Sequence, residues 1–309
     1  MAANRTSLCA GLLLAVQLLV SSCAPTPSYK EPHVAGHLPA GINESSGLAA
    51  SHRDPSLLWT HNDSGGQPVL YGIDPNGRRR GDVRLAGLHN TDWEDLASFE
   101  LDGRSWLLVA DTGDNGGRRR DCALYIIAEP DPATLVPLQE FTVPVAWKIP
   151  VRFPEGPRDC EAVAVDARAG LVYLLTKRTQ PAILYTLPLR PAAGSSAAAQ
   201  PVAKLTKFPQ PSTSQSLVPI STSRYRAQPT AMDFAADGSA AVVLTYGNAC
   251  LFPRRPGEAW ATALSRKPLV LPPHGLAQAE AVAFAPDGRT IYVTSEGAGT
   301  AILRYRREK

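Results

Sequence analysis

Carboxylates recur in this chain at positions where they could hold a hard cation. His61-Asn62-Asp63-Ser64-Gly65, Asn90-Thr91-Asp92-Trp93-Glu94-Asp95 and Asp111-Thr112-Gly113-Asp114-Asn115 are each dense in oxygen donors, and Asp159 and Glu161 follow in the same style. Oxygen-only ligand sets of this kind suit Ca²⁺ before Mg²⁺, and carboxylates gathered without a cation or donor repel one another and resist ionisation. Asp63, Asp92, Glu94, Asp111, Asp114 and Glu161 are therefore the candidate metal ligands. Lys177, Glu280 and Glu296 are the candidate contacts to a bound ligand, with Lys177 either neutralising acids or meeting a substrate anion. No catalytic nucleophile or base stands out. The two Asp-Ser/Thr-Gly triplets are spaced too closely for the two lobes of an aspartic protease. The Asp111 loop has Cys122 where an EF-hand needs a bidentate Glu, and Gly-x-Ser-x-Gly is absent.

These residues sit on a repeat. Units begin at Glu44, Glu94, Glu161, Thr230 and Glu280, each a strand, a tight turn and a second strand. The second strands are Leu57–Thr60, Trp106–Ala110, Leu171–Leu175, Ala241–Leu244 and Ile291–Thr294, with Asp237-Gly238 and Asp287-Gly288 as turns. Further short strands follow at Pro68–Ile73, Ala123–Ala128, Ala182–Leu187 and Ala301–Tyr305. Intervals of about 50 to 70 residues with four strands each predict an all-β fold, a β-propeller of five four-stranded antiparallel blades. The two longer intervals leave room for loops or for a sixth blade near Leu205–Ser223. The last unit is short of one strand, which residues near His33–Ile42 could supply. A β-sandwich would not explain a repeated acid ahead of paired strands.

The alignment predicts that the acid at each unit start and the residue after its second strand lie at opposite ends of a hairpin. Some should still gather at one face of the channel. A recurring Glu could equally serve the fold by accepting backbone N–H groups at each blade start; function is expected where the symmetry breaks. One slot reads Asp63, Asp111, Lys177 and Glu296 around the ring.

Residues 1–22 read as an export signal, with Arg5 ahead of an apolar run too short to span a bilayer. Leu19-Val20-Ser21-Ser22-Cys23 resembles a lipobox, which implies cleavage before Cys23, lipidation of its thiol and, with Ala24 next, residence at the periplasmic face of the outer membrane. Residues 23–37 then form a lipidated tether and 38–309 a single propeller domain. Of the five cysteines, Cys122, Cys160 and Cys250 remain; Cys122 and Cys160 are expected to pair, since both flank strands of what reads as one blade.

Composition agrees with a folded domain. Of 309 residues 44% are apolar and 19% charged, and 31 basic against 28 acidic side chains leave a net charge of +3, too balanced to argue for nucleic acid. With 28 prolines and 24 glycines, long helices have little room.

Trp59–Gly66, Asp92–Ala97, Asp111–Asn115, Asp159–Ala164 and Thr176-Lys177 together resemble a group of uncharacterised bacterial exported propeller proteins, over roughly residues 41–300. Asp54–Trp59 is more distantly similar to a stretch of β-propeller phytases, calcium-dependent phosphomonoesterases with an acidic channel; the paired acids before the proline are here Arg53-Asp54. Two functions follow. One is an envelope-anchored propeller whose acidic channel, with Ca²⁺, binds an envelope protein, a glycan or another ligand. The alternative is a calcium-dependent phosphoester hydrolase of phytase-like type.

Overall fold

The computed structural model describes residues 27–192, 198–213 and 223–308. The export signal and Cys23 lie outside them. The strands form five sheets, so the propeller has five blades.

Blade one comprises β2 (Ser45–Ala50), β3 (Leu58–Asn62), β4 (Val69–Ile73) and β5 (Arg79–Leu85), following an N-terminal strand β1 (His33–His37). Blade two comprises β6 (Trp93–Leu101), β7 (Arg104–Asp111) and β8 (Ala123–Ala128). The chain then crosses to blade one as β9 (Glu140–Val143) before β10 (Trp147–Pro150) completes blade two. Blade three is β11 (Cys160–Asp166), β12 (Leu171–Thr176), β13 (Ala182–Pro188) and β14 (Gln200–Leu205). Blade four is β15 (Pro229–Phe234), β16 (Ala240–Thr245), β17 (Ala249–Pro253) and β18 (Leu269–Val270). Blade five is β19 (Ala279–Phe284), β20 (Thr290–Ser295) and β21 (Ala301–Arg306), with β1 as its outer strand.

That last pairing closes the ring: His33, Val34, Gly36 and His37 lie antiparallel to Arg304, Leu303, Ile302 and Ala301. Residues 33–37, expected to lie in a tether, are therefore part of the sheet, and Tyr29 already bridges Arg307. No sixth blade forms among the described residues; Gln200–Leu205 is the outer strand of blade three. Blade one departs from four antiparallel strands by gaining β9, which runs parallel to β5, with Arg84 gripping Glu140 at 2.6 Å.

The inner strands β2, β6, β11, β15 and β19 touch in that order around one axis. Apolar clusters fill each gap between blades. Leu108 and Val163 share the cluster between blades two and three, Met232 and Leu184 that between three and four, and Val293 and Leu244 that between four and five. Trp59 and Leu96 share the cluster between blades one and two, and Leu48 and Ala281 that between five and one. Second strands such as β7 and β12 are buried on both faces, which explains their continuous apolar runs rather than alternation. The turn between β6 and β7 places Asp102 and Gly103 at φ 53 and 69, the paired left-handed geometry of a two-residue hairpin turn.

An innermost strand has no neighbour on its axial side, so its outward N–H groups need other acceptors. Asp95, fully buried, supplies them: its carboxylate accepts from Leu96 N (2.8 Å), Val163 N (2.7 Å) and Met232 N (3.2 Å), tying blades two, three and four. Asp233 does the same from Phe234 N (2.8 Å) and Phe284 N (2.7 Å), tying blade four to five. Asp95→Ala strands three buried donors and should lower stability by about 3 kcal/mol or more, read by urea unfolding. A change below about 0.5 kcal/mol would show that these bonds do not brace the axis.

Candidate metal centre at the channel mouth

Strand pairing gathers the acids. In every blade the register of the inner hairpin slips at one residue near its start: between Ser45 and Gly47, Trp93 and Asp95, Cys160 and Ala162, Pro229 and Ala231, and Ala279 and Ala281. The bulged residues are thus Ser46, Glu94, Glu161, Thr230 and Glu280. A bulge re-aims a side chain out of the pleat, and three of these five are glutamates at one end of the channel. The residue two places earlier is Glu44, Asp92, Asp159, Gln228 or Gln278.

Antiparallel pairing also corrects an expectation. The first residue of an inner strand faces the last residue of the second strand, as Cys160 faces Thr176, so both ends of each hairpin meet at one face of the ring. Asp63 N donates to Glu44 O (2.8 Å), Lys177 N to Asp159 O (3.0 Å) and Glu296 N to Gln278 O (3.1 Å), which makes Asp63, Lys177 and Glu296 equivalent. In blade two the matching donor is Gly113, bonded to Asp92 O at 3.2 Å, rather than Asp111. A Cβ at Gly113 would stand 2.0 Å from Glu94 Oε1 and 2.6 Å from Asp92 Oδ2. The missing side chain is what lets the acids crowd there.

Two triads result, both using Glu94. Asp63, Asp92 and Glu94 bring one oxygen each within 4.8 Å of one another, as do Glu94, Asp159 and Glu161. They differ in charge balance. In the second triad Glu161 pairs with Lys177, and Asp159 meets Arg178 Nε at 2.7 Å while accepting Asp114 N at 2.8 Å. No ion pair reaches the first triad among the described residues. Glu94 is 4% exposed and accepts no hydrogen bond there, and Asp63 Oδ1 is buried without a partner. Burial, then the charges of Glu161 and Asp63, push the Glu94 carboxyl well above its ordinary range. Burial also lifts Asp63 to about 7, against a backbone hydrogen bond from Ser64, with Asp92 adding to the rise. Ionised together, each pair would repel by roughly 3–4 kcal/mol at an effective dielectric near 20. The donor set and its orphaned oxygens fit a hard divalent cation.

Other predicted residues are placed differently. Asp111 is spent on Arg119 (2.7 Å) and on Asp92 N (3.2 Å). Asp114 shapes its own loop by accepting Arg118 N (2.8 Å) and Arg119 N (2.9 Å). Neither joins a triad, so their expected role as ligands gives way to support of the loop carrying Gly113. Lys177 is buried between Glu161 and Glu280, the latter at 3.4 Å. Burial works against its charge, but the two glutamates win and its pKa rises. Glu280 also accepts Tyr246 Oη at 2.5 Å, and Tyr246 turns its ring to the ammonium at 4.9 Å. Glu296 accepts Gln278 Nε2 at 2.7 Å; burial and its hydrogen bond with Glu280 raise it to about 9. The recurring glutamates are therefore not the fold's backbone acceptors; Asp95 and Asp233 are. Asp159 is noted in the sequence but not counted among the expected ligands, and Tyr246 is not expected at all, although Thr245-Tyr246 aligns with Thr176-Lys177 and carries the signal.

The expected Cys122–Cys160 disulfide is not formed. Cys122, Cys160 and Cys250 are all free and buried. Cys122 precedes β8 of blade two whereas Cys160 opens the inner strand of blade three, so the two belong to different blades and pack as small apolar groups between them.

No family model matches the chain, and no curated protein matches it. Among solved structures it is similar to a chain of the nidogen/laminin complex, at 15% identity and TM-score 0.42, over 82% of this chain and 73% of that one. It is also similar to a Bacteroides uniformis protein described provisionally as a 6-phosphogluconolactonase, at 14% identity and TM-score 0.40, over 84% and 67%. Likenesses at this level bear on neither the acids at the mouth nor their role.

The raised acids set a pH dependence. The native state keeps protons on Asp63 up to about 7 and on Glu296 up to about 9, whereas the unfolded chain releases them near 4. Between those limits the native state binds more protons, so stability is present at low pH and is lost as pH rises. In metal-free buffer the melting temperature should fall from pH 5 to 9. Asp63→Asn should reduce the fall only below about 7, whereas Glu296→Gln should reduce it across the whole range and remove most of it above 7. A melting temperature that climbs across this range would contradict the placement of these carboxyls.

Proposed function

We propose that this protein is a bacterial envelope lipoprotein, held at the periplasmic face of the outer membrane through lipid on Cys23. Its propeller holds Ca²⁺ at the channel mouth and, with that ion, binds an envelope partner or ligand. Asp63, Asp92 and Glu94 would hold the ion, with Asp159 and Glu161 completing the acidic wall behind it. The observation that carries this reading is Glu94: a nearly inaccessible carboxylate, without a donor of its own, shared by two groups of acids. An isolated ion so placed costs several kcal/mol, which a divalent cation offsets directly.

Binding is preferred to phosphoester hydrolysis on one observation. Lys177, the side chain expected to meet a substrate anion in the hydrolase, is already held by Glu161 and Glu280.

Calorimetric titration of the metal-stripped protein with Ca²⁺ should show saturable binding, accompanied by a higher melting temperature. Glu94→Gln keeps the shape and removes the charge, and should weaken binding at least tenfold. Equal affinity in parent and variant, or no binding at all, would overturn the site. Calcium-dependent turnover of phosphomonoesters would instead favour the hydrolase.

A further inference from the structure

The end of the ring opposite the acids carries a cleft that the metal site does not use. Inner strands reach that end at Asp166 and Phe234, where the hairpins of blades three and four turn back to Leu171 and Ala241. A cavity of about 520 Å³ opens between these turns, within the range of small-molecule sites. Arg168 lines it from the blade-three turn, Asp237 and Ser239 from the blade-four turn, and Arg254 and Arg255 from the loop after β17. A second cavity of about 230 Å³ shares Asp166, Arg168 and Arg254 and adds His52, Ser98 and Glu100 from blades one and two.

The acids on these walls hold their own turns. Asp166 accepts Ala169 N at 3.0 Å through one oxygen and Trp260 Nε1 at 2.9 Å through the other. Asp237 accepts Ser239 N at 2.8 Å. The three guanidiniums are far less committed. Arg254 is fixed in place, since its Nε donates to Glu258 O at 2.6 Å and its guanidinium lies 4.3 Å from the centre of the Trp260 ring. Its nearest acid, Asp166, is 3.8 Å from Nη1, and its side chain stays 20% exposed. Arg168 reaches Asp237 O only at 3.4 Å. Arg168 and Arg255 are both exposed, and neither has an ion pair among the described residues.

We infer that this cleft binds a phosphate monoester, with Arg254 as the preset donor and Arg168 and Arg255 supplying further charge and N–H groups. A guanidinium presents five donors in a planar fork that matches two anionic oxygens at once. One such fork occupies both oxygens of a carboxylate. A phosphate monoester has a third terminal oxygen left for a second guanidinium, so three arginines around one cavity favour phosphate. The volume exceeds what a single phosphate fills, leaving room for the esterified group beside Ala169, Pro256 and Gly257. The inference is independent of the metal and of any ligand at the acidic face.

The test is calorimetric titration of the full chain with glycerol 3-phosphate and with succinate. Both are run in EDTA at about 0.15 M salt, where diffuse attraction between exposed charges is screened. Saturable binding of glycerol 3-phosphate is expected, at least tenfold tighter than succinate, with Arg254→Gln weakening it at least tenfold. Should that variant not fold, the exposed pair Arg168→Gln/Arg255→Gln should weaken binding at least fivefold, while Arg306→Gln on blade five leaves it unchanged. A parallel arm compares sedimentation with vesicles of phosphatidylcholine alone and with added phosphatidic acid. A gain on phosphatidic acid that the same variants remove, without binding of glycerol 3-phosphate, would retain the cleft and place its phosphate on a lipid. Binding of neither probe, equal affinity for succinate, or indifference to these variants overturns the assignment. Because EDTA leaves the acidic mouth without an ion, failure here does not touch the metal site, and a failed Ca²⁺ titration does not touch this cleft.

Discussion

Five inner strands turn an unpaired edge toward one axis, and that single constraint organises the molecule. Backbone donors there cannot be met by another strand, so buried carboxylates meet them: Asp95 spans three blades and Asp233 joins two. With those acids occupied inside the channel, the remaining ones sit at its mouth, where a bulge in each inner strand turns a side chain away from the pleat. Fold and site are thus two uses of the same residue type, separated by one position in the chain, as Glu94 and Asp95 show.

Chemistry at the mouth comes from departures from five-fold symmetry. Bulged positions carry Glu in three blades but Ser46 and Thr230 in the others, and the neighbouring slot holds Asp63, Gly113, Lys177 or Glu296. Lys177, Tyr246, Glu280 and Glu296 form a hydrogen-bonded side of the ring that holds an ammonium. Asp63, Asp92 and Glu94 form no ion pair among the described residues. A ring with an ion-paired ammonium on one side and unpaired acids on the other has a preferred place for a cation.

Much of the fold was legible in the chain. Glu94-Asp-Leu-Ala, Glu161-Ala-Val-Ala and Glu280-Ala-Val-Ala share one pattern, and the short last unit pointed to an N-terminal strand for closure, which β1 supplies. The fifth strand on blade one was not legible, because Glu140–Val143 is short, half exposed and paired with a sequence-distant blade. Within the site, Asp63, Asp92, Glu94 and Glu161 could be picked from local density of oxygen donors. Asp111 and Asp114 looked alike by that criterion, yet Arg119 and the loop backbone claim them, and such partners depend on three-dimensional packing rather than spacing. The expectation that the two ends of a hairpin lie apart fails because the second strand of an antiparallel pair returns to the start of the first, as Thr176 returns to Cys160.

The most direct measurement of the central claim is anomalous diffraction from crystals soaked with Mn²⁺ as a stand-in for Ca²⁺. The account predicts a peak at the channel mouth within bonding distance of Asp63, Asp92 and Glu94, lost in Glu94→Gln crystals. A mouth without a peak, with metal found only on rim acids such as Asp121 or Asp237, would contradict it.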